Sequence, residues 1–200
     1  MYSIDGRAFM HLPLGSRVRI FKETPTKFIL DLPDGTQAFF EKPNVKDPLE
    51  GTSLDTRQAL LHVASELQHT FYLWGGMSPT NSNLSFPSGI DCSGLVHLSY
   101  RVNGIEVPRD AYEQWMKAKP IKRAELKPAD LIFSAKSDNP KKITHVAIYA
   151  GNGQIIEAPQ TGMVVRKISF QEKYGKALDK VESGDTVGER VVYFGSFLQK

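Results

Sequence analysis

The chain has 200 residues, 40% of them hydrophobic and 24% charged, and 25 Lys and Arg against 22 Asp and Glu give a net charge of +3. That balance fits a compact soluble protein, and no apolar run approaches the roughly 20 residues a membrane-spanning helix needs. The charge is too mild and dispersed to argue for nucleic acid, a single cysteine excludes an internal disulfide framework or a multi-cysteine zinc site, and the five histidines (His11, His62, His69, His97, His145) lack compact ligand spacing. No metal or organic cofactor is implied.

Met1-Tyr2-Ser3-Ile4-Asp5-Gly6 lacks a basic segment and an apolar signal core. The expected location is cytoplasmic as the chain stands, and periplasmic or cell-wall if the natural protein carries a leader. The first 42 or so residues read as β: Leu12-Pro13-Leu14-Gly15-Ser16 leads into a strand at 17–23, then come 28–32, the turn Pro33-Asp34-Gly35, and 36–41. A polar, proline-containing stretch at 42–51 ends this pattern, which predicts a small β domain over 1–46 and a second domain over 47–200. Asp55 then caps a helix running through residue 69, with Ala59, Leu60, Val63, Ala64 and Leu67 on its apolar face and His62 and His69 at the surface or an interface. A turn-rich loop follows at 77–90, then a helix carrying Leu95, Val96, Leu98, Ser99 and Val102 that stops at Asn103-Gly104. Strands are expected at 130–134, in a hairpin over 143–158, at 163–168 and at 190–197, with a peripheral helix at 170–179 and a turn at Ser183-Gly184-Asp185. Helices first and antiparallel strands after make the second domain α+β.

Cys92, the only cysteine, falls in or next to the first turn of the second helix. There the unpaired backbone N–H groups and the helix dipole favour the thiolate, the nucleophilic form, and Asp91 can act as cap. A free cysteine is equally at home as a small buried hydrophobe. His145 lies on a hairpin strand, and a three-residue loop Gly151 to Gly153 would set Ala147 opposite Glu157 and make His145 the diagonal neighbour of Glu157, roughly 7 Å away. Glu157 then fixes the imidazole tautomer so that the other nitrogen faces the thiol, the arrangement of nucleophile, base and orienter. Separately, His145 reads as half-buried filler and Glu157 as an edge-strand charge; the combination is what points to catalysis.

Five ordered blocks resemble the NlpC family of papain-like cysteine endopeptidases that cut bacterial cell-wall peptides. They are Phe71-Tyr72-Leu73-Trp74-Gly75-Gly76, Asp91-Cys92-Ser93-Gly94-Leu95-Val96, Val107-Pro108-Arg109-Asp110 with Gln114, Leu126-Lys127-Pro128-Ala129-Asp130-Leu131-Ile132-Phe133, and His145-Val146-Ala147-Ile148-Tyr149. The resemblance spans about residues 56 to 197, and the segments Leu-Pro-Leu-Gly and Asp-Gly-Thr-Gln-Ala-Phe-Phe resemble part of a bacterial Src-homology-three-type barrel. It implies a papain-like fold with a helix-borne nucleophile and strand-borne base, behind a small and incomplete β-barrel.

The resemblance further implies Cys92 as nucleophile, His145 as base and Glu157 as the third, polar member, where relatives often carry histidine. Tyr72 matches a tyrosine beside the nucleophile that helps the Cys92 backbone N–H hold the oxyanion, with a core aromatic as the alternative. Asp91 matches a residue recognising the free amine of an L-Ala-γ-D-Glu unit, besides capping the helix. Ser93, Arg109 and Trp74 become candidate substrate contacts, Ser93 and Arg109 for a carboxylate, although an arginine after a proline at a helix start also fits a structural role. Two departures stand out: the 77–90 loop is longer than expected, either gating the cleft or forming an inert excursion, and Ala111 falls where close recycling relatives tend to carry serine. The implied activity is hydrolysis of γ-D-glutamyl-diamino acid amide bonds in peptidoglycan stem peptides or muropeptides, from the intact wall or in recycling. An N-acyl amidase or acyltransferase, or a module that binds wall peptides without cutting, are the rival readings.

Overall fold

The computed structural model describes residues 2–3, 14–32, 34–42, 54–79 and 88–198. The chain separates into two compact units, Met1–Thr52 and Ser53–Lys200. In the first, β1 (Tyr2–Ser3), β2 (Ile20–Glu23), β3 (Lys27–Asp31) and β4 (Gln37–Glu41) form an antiparallel sheet of order β1-β4-β3-β2. The strand expected at 17–23 forms its ladder only from Ile20. Turn chemistry sets the β3–β4 connection: Gly35 takes φ +81°, and the Asp34 carboxylate accepts from the Thr36 N–H at 2.9 Å. Leu30 and Ala38, direct partners across β3 and β4, are buried, and Leu32 and Phe40 pack against them.

The second unit begins with α1 (Thr56–Glu66). Asp55 accepts from the Arg57 and Gln58 N–H groups, both at 2.9 Å, while the Gln58 side chain accepts from the Asp55 N–H at 3.0 Å, a reciprocal capping box. Ala59, Leu60, Val63, Ala64 and Leu67 are buried. The helix ends before the expected residue 69, because His69 adopts φ +67° and its N–H is taken by the Val165 carbonyl at 2.9 Å. β5 (Met77–Ser78) and β6 (Gly89–Ile90) pair antiparallel at the two ends of the long loop, of which residues 80–87 lie outside the described residues.

α2 (Cys92–Val102) and α3 (Ala111–Lys117) follow, then β7 (Lys119–Pro120), β8 (Leu131–Lys136), β9 (Ile143–Gly151), β10 (Gln154–Glu157), β11 (Arg166–Ser169), α4 (Phe170–Tyr174), β12 (Thr186–Val187) and β13 (Arg190–Ser196). These strands make one antiparallel sheet of order β11-β10-β9-β8-β13-β12, with β7 added to β13. The helix expected over 170–179 breaks after Tyr174, where Gly175 takes φ +79° in the left-handed region and terminates α4; a 3-10 turn occupies Leu178–Lys180.

The hairpin corrects one expectation and preserves its consequence. Its turn has two residues, Asn152 (φ +51°) and Gly153 (φ +68°), closed by the pair Gly151 and Gln154, where three were expected. A bulge at Ala150 inserts one extra residue, so Ile155 faces Tyr149 and Ile156 faces Ile148. Continued by one residue, this register sets Glu157 opposite Ala147.

One face of the sheet carries Ile132, Ala147, Ile155, Ile168, Val192 and Phe194, which with Phe170 and Tyr174 of α4 form a buried cluster. Ser134, His145, Glu157 and Arg166 lie on that same face by alternation and register. Leu131, Phe133, Val146, Ile148 and Ile156 alternate with them and are fully buried too, and α2 packs on both β9 and α1. Both faces of the central strands are therefore covered, which fixes their register. Among the described residues no helix is long and apolar enough to cross a membrane, and no group of three or more His, Cys, Asp or Glu gathers that could hold a metal ion.

The capping box makes a first expectation. Asp55→Ala removes both side-chain acceptor bonds at the start of α1 and lowers the unfolding free energy by about 1 kcal/mol, measured by urea denaturation.

Candidate active site

The position of Cys92 starts with Asp91. It has extended backbone (φ −92°, ψ −177°), and its side chain accepts from the Gly94 N–H at 2.7 Å, capping α2 so that Cys92 is the helix's first residue. The other oxygen accepts from the Gly75 N–H at 2.8 Å. Gly94 is required here: a Cβ at that position would run into the Gly76 carbonyl oxygen, so only glycine lets the segment around Gly76 lie on the first turn of α2. The Asp91 N–H donates to that same carbonyl at 3.2 Å.

Arg109 completes this corner. Its guanidinium forks onto both Asp91 oxygens at 3.0 and 2.8 Å, and donates to the Ser93 hydroxyl at 2.9 Å and the Gly76 carbonyl at 3.2 Å. Gln114, buried on α3, donates to the Ser93 and Pro108 carbonyls at 3.0 and 2.9 Å and so ties α3 to the nucleophile turn. Asp91, Ser93 and Arg109 are thus bonded to one another and to the backbone around Gly75, Gly76 and Gly94. Trp74 is 83% exposed and belongs to no core, whereas Tyr72 is half-buried near the thiol.

Cys92 is 8% exposed and His145 7%. The His145 Nε2 lies 2.8 Å from Oε2 of Glu157, which is fully buried. Glu157 as a carboxylate only accepts, so Nε2 carries the proton of that bond and Nδ1 is left for the Cys92 thiol, with which the imidazole is hydrogen-bonded. Burial pushes the thiol up, but the hydrogen bond and charge of His145, with the Val146 N–H, outweigh it and hold Cys92 below its ordinary value despite the nearby Asp91 charge. Burial likewise pushes His145 down, and its hydrogen bonds to Cys92 and Glu157 reverse that, leaving it above its ordinary value. Both shifts favour a thiolate beside an imidazolium. The phenol of Tyr72 is raised, first by burial and then by the charges of Cys92 and Asp91, so at neutral pH it is a hydrogen-bond donor.

Two residues that motif reading passed over complete the site. Arg166 donates to Glu157 Oε1 through Nε at 3.1 Å and Nη2 at 2.9 Å, and Lys173 Nζ sits 2.8 Å from Oε2. Arg166 is the direct cross-strand partner of Glu157 in the β10–β11 ladder, and Lys173 comes from α4. Burial would raise the Glu157 carboxyl, but the hydrogen bonds and charges of His145 and Lys173 bring it down to about 2. Arg166 falls inside the strand expected at 163–168, so extending the hairpin register by one strand was the signal available for it.

Residues 69–181 match the sequence profile of the NlpC/P60 family. The chain belongs to this family. It is 35% identical over 141 residues to the Murein DD-endopeptidase MepH of Escherichia coli, covering 65% of this chain and 49% of that protein. It is 34% identical over 101 residues to the Gamma-D-glutamyl-L-lysine dipeptidyl-peptidase of Bacillus subtilis, covering 50% of this chain and 31% of the relative. The chain therefore spans half or less of the length of these curated relatives. The crystal structure of an NlpC/P60 family protein from Bacillus cereus superposes with a TM-score of 0.68 at 24% identity, over 92% of this chain and 54% of that one. The mixed α and β fold of the second unit is that of the family.

The charge on Glu157 sets an acid limit. Its folded value lies below the ordinary 4.5, so the stability it contributes is present above the ordinary carboxylate range and is lost as pH falls through about 2. Circular dichroism between pH 5 and pH 2 is expected to show this loss, and Glu157→Gln, less stable at neutral pH, is expected to show a flatter dependence over the same interval.

Proposed function

We propose that the chain is a cysteine-type endopeptidase that hydrolyses γ-D-glutamyl-diamino acid amide bonds in peptidoglycan stem peptides. The observation that carries the reading is the grouping of the Cys92 thiol at the start of α2 with the His145 imidazole of β9, itself bonded to the buried Glu157 carboxylate of β10, inside the segment matching a family whose named relatives cleave murein and γ-D-glutamyl bonds.

The chemistry follows from that grouping. The Cys92 thiolate attacks the amide carbonyl carbon, and its electrons move onto the oxygen, towards the Cys92 backbone N–H and the Tyr72 hydroxyl. The His145 imidazolium gives its proton to the leaving nitrogen, the C–N bond breaks, and a thioester remains. Neutral His145 then takes a proton from water, the hydroxide adds to the thioester, and loss of the acid restores the thiolate and imidazolium. Arg109, engaged with Asp91 and Ser93, serves this reaction by holding the nucleophile turn, and Asp91 and Ser93 present the edge of the site nearest the glutamyl unit.

Mass spectrometry of products tests it, with wild type and Cys92→Ala incubated with L-Ala-γ-D-Glu-diaminopimelate, its N-acetylated form, and a D-Ala-diaminopimelate cross-link. Cysteine-dependent cleavage after D-Glu is the expected result. Cleavage of the free-amine peptide alone identifies a recycling enzyme, and cleavage of both stem peptides a wall hydrolase. Cleavage of the cross-link alone, or of none, overturns the proposed bond. Tyr72→Phe is expected to lower kcat by about 10²-fold, as loss of one oxyanion donor does, with KM little changed; an unchanged kcat makes Tyr72 a packing residue.

A further inference from the structure

Glu157 stands where a neutral or weakly charged partner would suffice to orient an imidazole, and a carboxylate there creates a problem of its own. A buried carboxylate 2.8 Å from Nε2 holds the imidazolium proton by charge as well as by hydrogen bond. The carboxylate's charge strengthens the hold on the Nδ1 proton as well, and it is this proton, on the Cys92 side, that must leave His145 for the amine in every turnover, so an unbalanced Glu157 makes the general acid too weak. It can also take the Nε2 proton itself, leaving two neutral groups and no ion pair with the thiol.

The surroundings of Glu157 answer that problem. Its carboxylate is fully buried, and its oxygens are divided between cations: Oε1 takes two Arg166 N–H groups at 3.1 and 2.9 Å, and Oε2 is shared between His145 and Lys173, each at 2.8 Å. Arg166 is set in place by ladder register directly opposite Glu157. Lys173 is set by α4, whose first turn is capped by the Ser169 hydroxyl accepting from the Glu172 N–H at 3.0 Å. We propose that Arg166 and Lys173 are positioning residues for the reaction, orienting Glu157 and balancing its charge so that it aligns His145 without withholding the proton the leaving amine needs. The proposal rests on the reading of Cys92 and His145 as the reacting pair.

Charge counting makes it specific. With a thiolate and an imidazolium in place, Glu157, Arg166 and Lys173 leave the cluster at +1, and without the two cations it would stand at −1. Among the described residues, the other charged or titratable groups facing it are Tyr72 beside the thiol, Asp91 with its partner Arg109, Tyr174 of α4, and Arg190, which donates to the Thr144 hydroxyl at 2.9 Å. None of these contacts the Glu157 oxygens in the hydrogen-bond or ion-pair geometry that Arg166 and Lys173 show.

The test uses two readouts that need no knowledge of the natural substrate: the pH dependence of Cys92 alkylation by iodoacetamide, and the His145 imidazole titration followed by 15N NMR. Removing a cation raises the proton affinity of every group it faces, so Lys173→Met and Arg166→Met are each expected to move both titrations upward by about one pH unit. Lys173→Arg keeps the charge and is expected to stay near wild type. Glu157→Gln is expected to move the imidazole the opposite way, and adding Lys173→Met to it to bring the titration back towards wild type, which simple loss of structure would not do. On a cleaved stem peptide, Lys173→Met is expected to lower kcat at pH 7 about tenfold with KM unchanged. If both titrations in Lys173→Met and Arg166→Met coincide with wild type, this proposal falls while the catalytic reading stands. If wild-type Cys92 itself titrates at the ordinary thiol value, the reading of the pair falls and takes the proposal with it.

Discussion

The site depends first on the carboxylate of Asp91, which holds three pieces of chain to one point. It caps α2 through Gly94, holds the Gly75 backbone, and receives the Arg109 fork. Each of these bonds is to a charged acceptor, the stronger kind, and the carboxylate is nearly buried, so losing a donor would leave charge unsatisfied in a dry place. The cap decides where the helix begins and therefore that Cys92 is its first residue. Gly94 belongs to the same constraint, since only a residue without Cβ lets the Gly76 carbonyl rest on the first turn. The sequence Asp-Cys-Ser-Gly is thus one packing solution with the buried thiol at the head of the helix.

Two carboxylates flank the thiol and act in opposite senses. Asp91 is next to Cys92 in the chain, and its charge opposes the thiolate. Its pairing with Arg109 sets a positive charge against both of its oxygens. Glu157 lies on the far side of His145 and helps the thiolate indirectly, by favouring the imidazolium that pairs with it. Both carboxylates need basic partners for the same reason: a buried charge without them would be neutralised by a proton.

Legibility of the fold followed how local the determining physics is. Helix α1 was readable because its cap and apolar stripe lie within one segment, and its end was not, since His69 is drawn out by a bond to Val165, almost a hundred residues away. The hairpin's strands were readable from β-branched residues around a Gly-Asn-Gly turn. Its loop length was not, because a two-residue turn with a bulge at Ala150 and a three-residue turn give the same opposition of Ala147 and Glu157. That equivalence is why the pairing of His145 with Glu157 could be anticipated from a wrong turn. The Glu157 cations were hidden for a different reason. Arg166 and Lys173 carry no motif and look like solvated surface residues until strand order sets β11 beside β10 and α4 above it. Arg109 was visible as a residue of interest, but only the tertiary structure reveals that its fork is spent on Asp91.

The depth of the thiol bears on which amide it can reach. Cys92 and His145 are both below a tenth exposed, so little of the sulfur is open to an incoming carbonyl. An α-linked residue carries its side chain on the carbon next to that carbonyl, where it adds bulk at the sulfur. A γ-linked glutamyl group presents two bare methylenes at that point, with its α-carboxylate and acylated nitrogen set back beyond them. The proposed γ-linked bond therefore asks for little room at the sulfur, whose burial follows from the cap that places Cys92 at the first turn of α2.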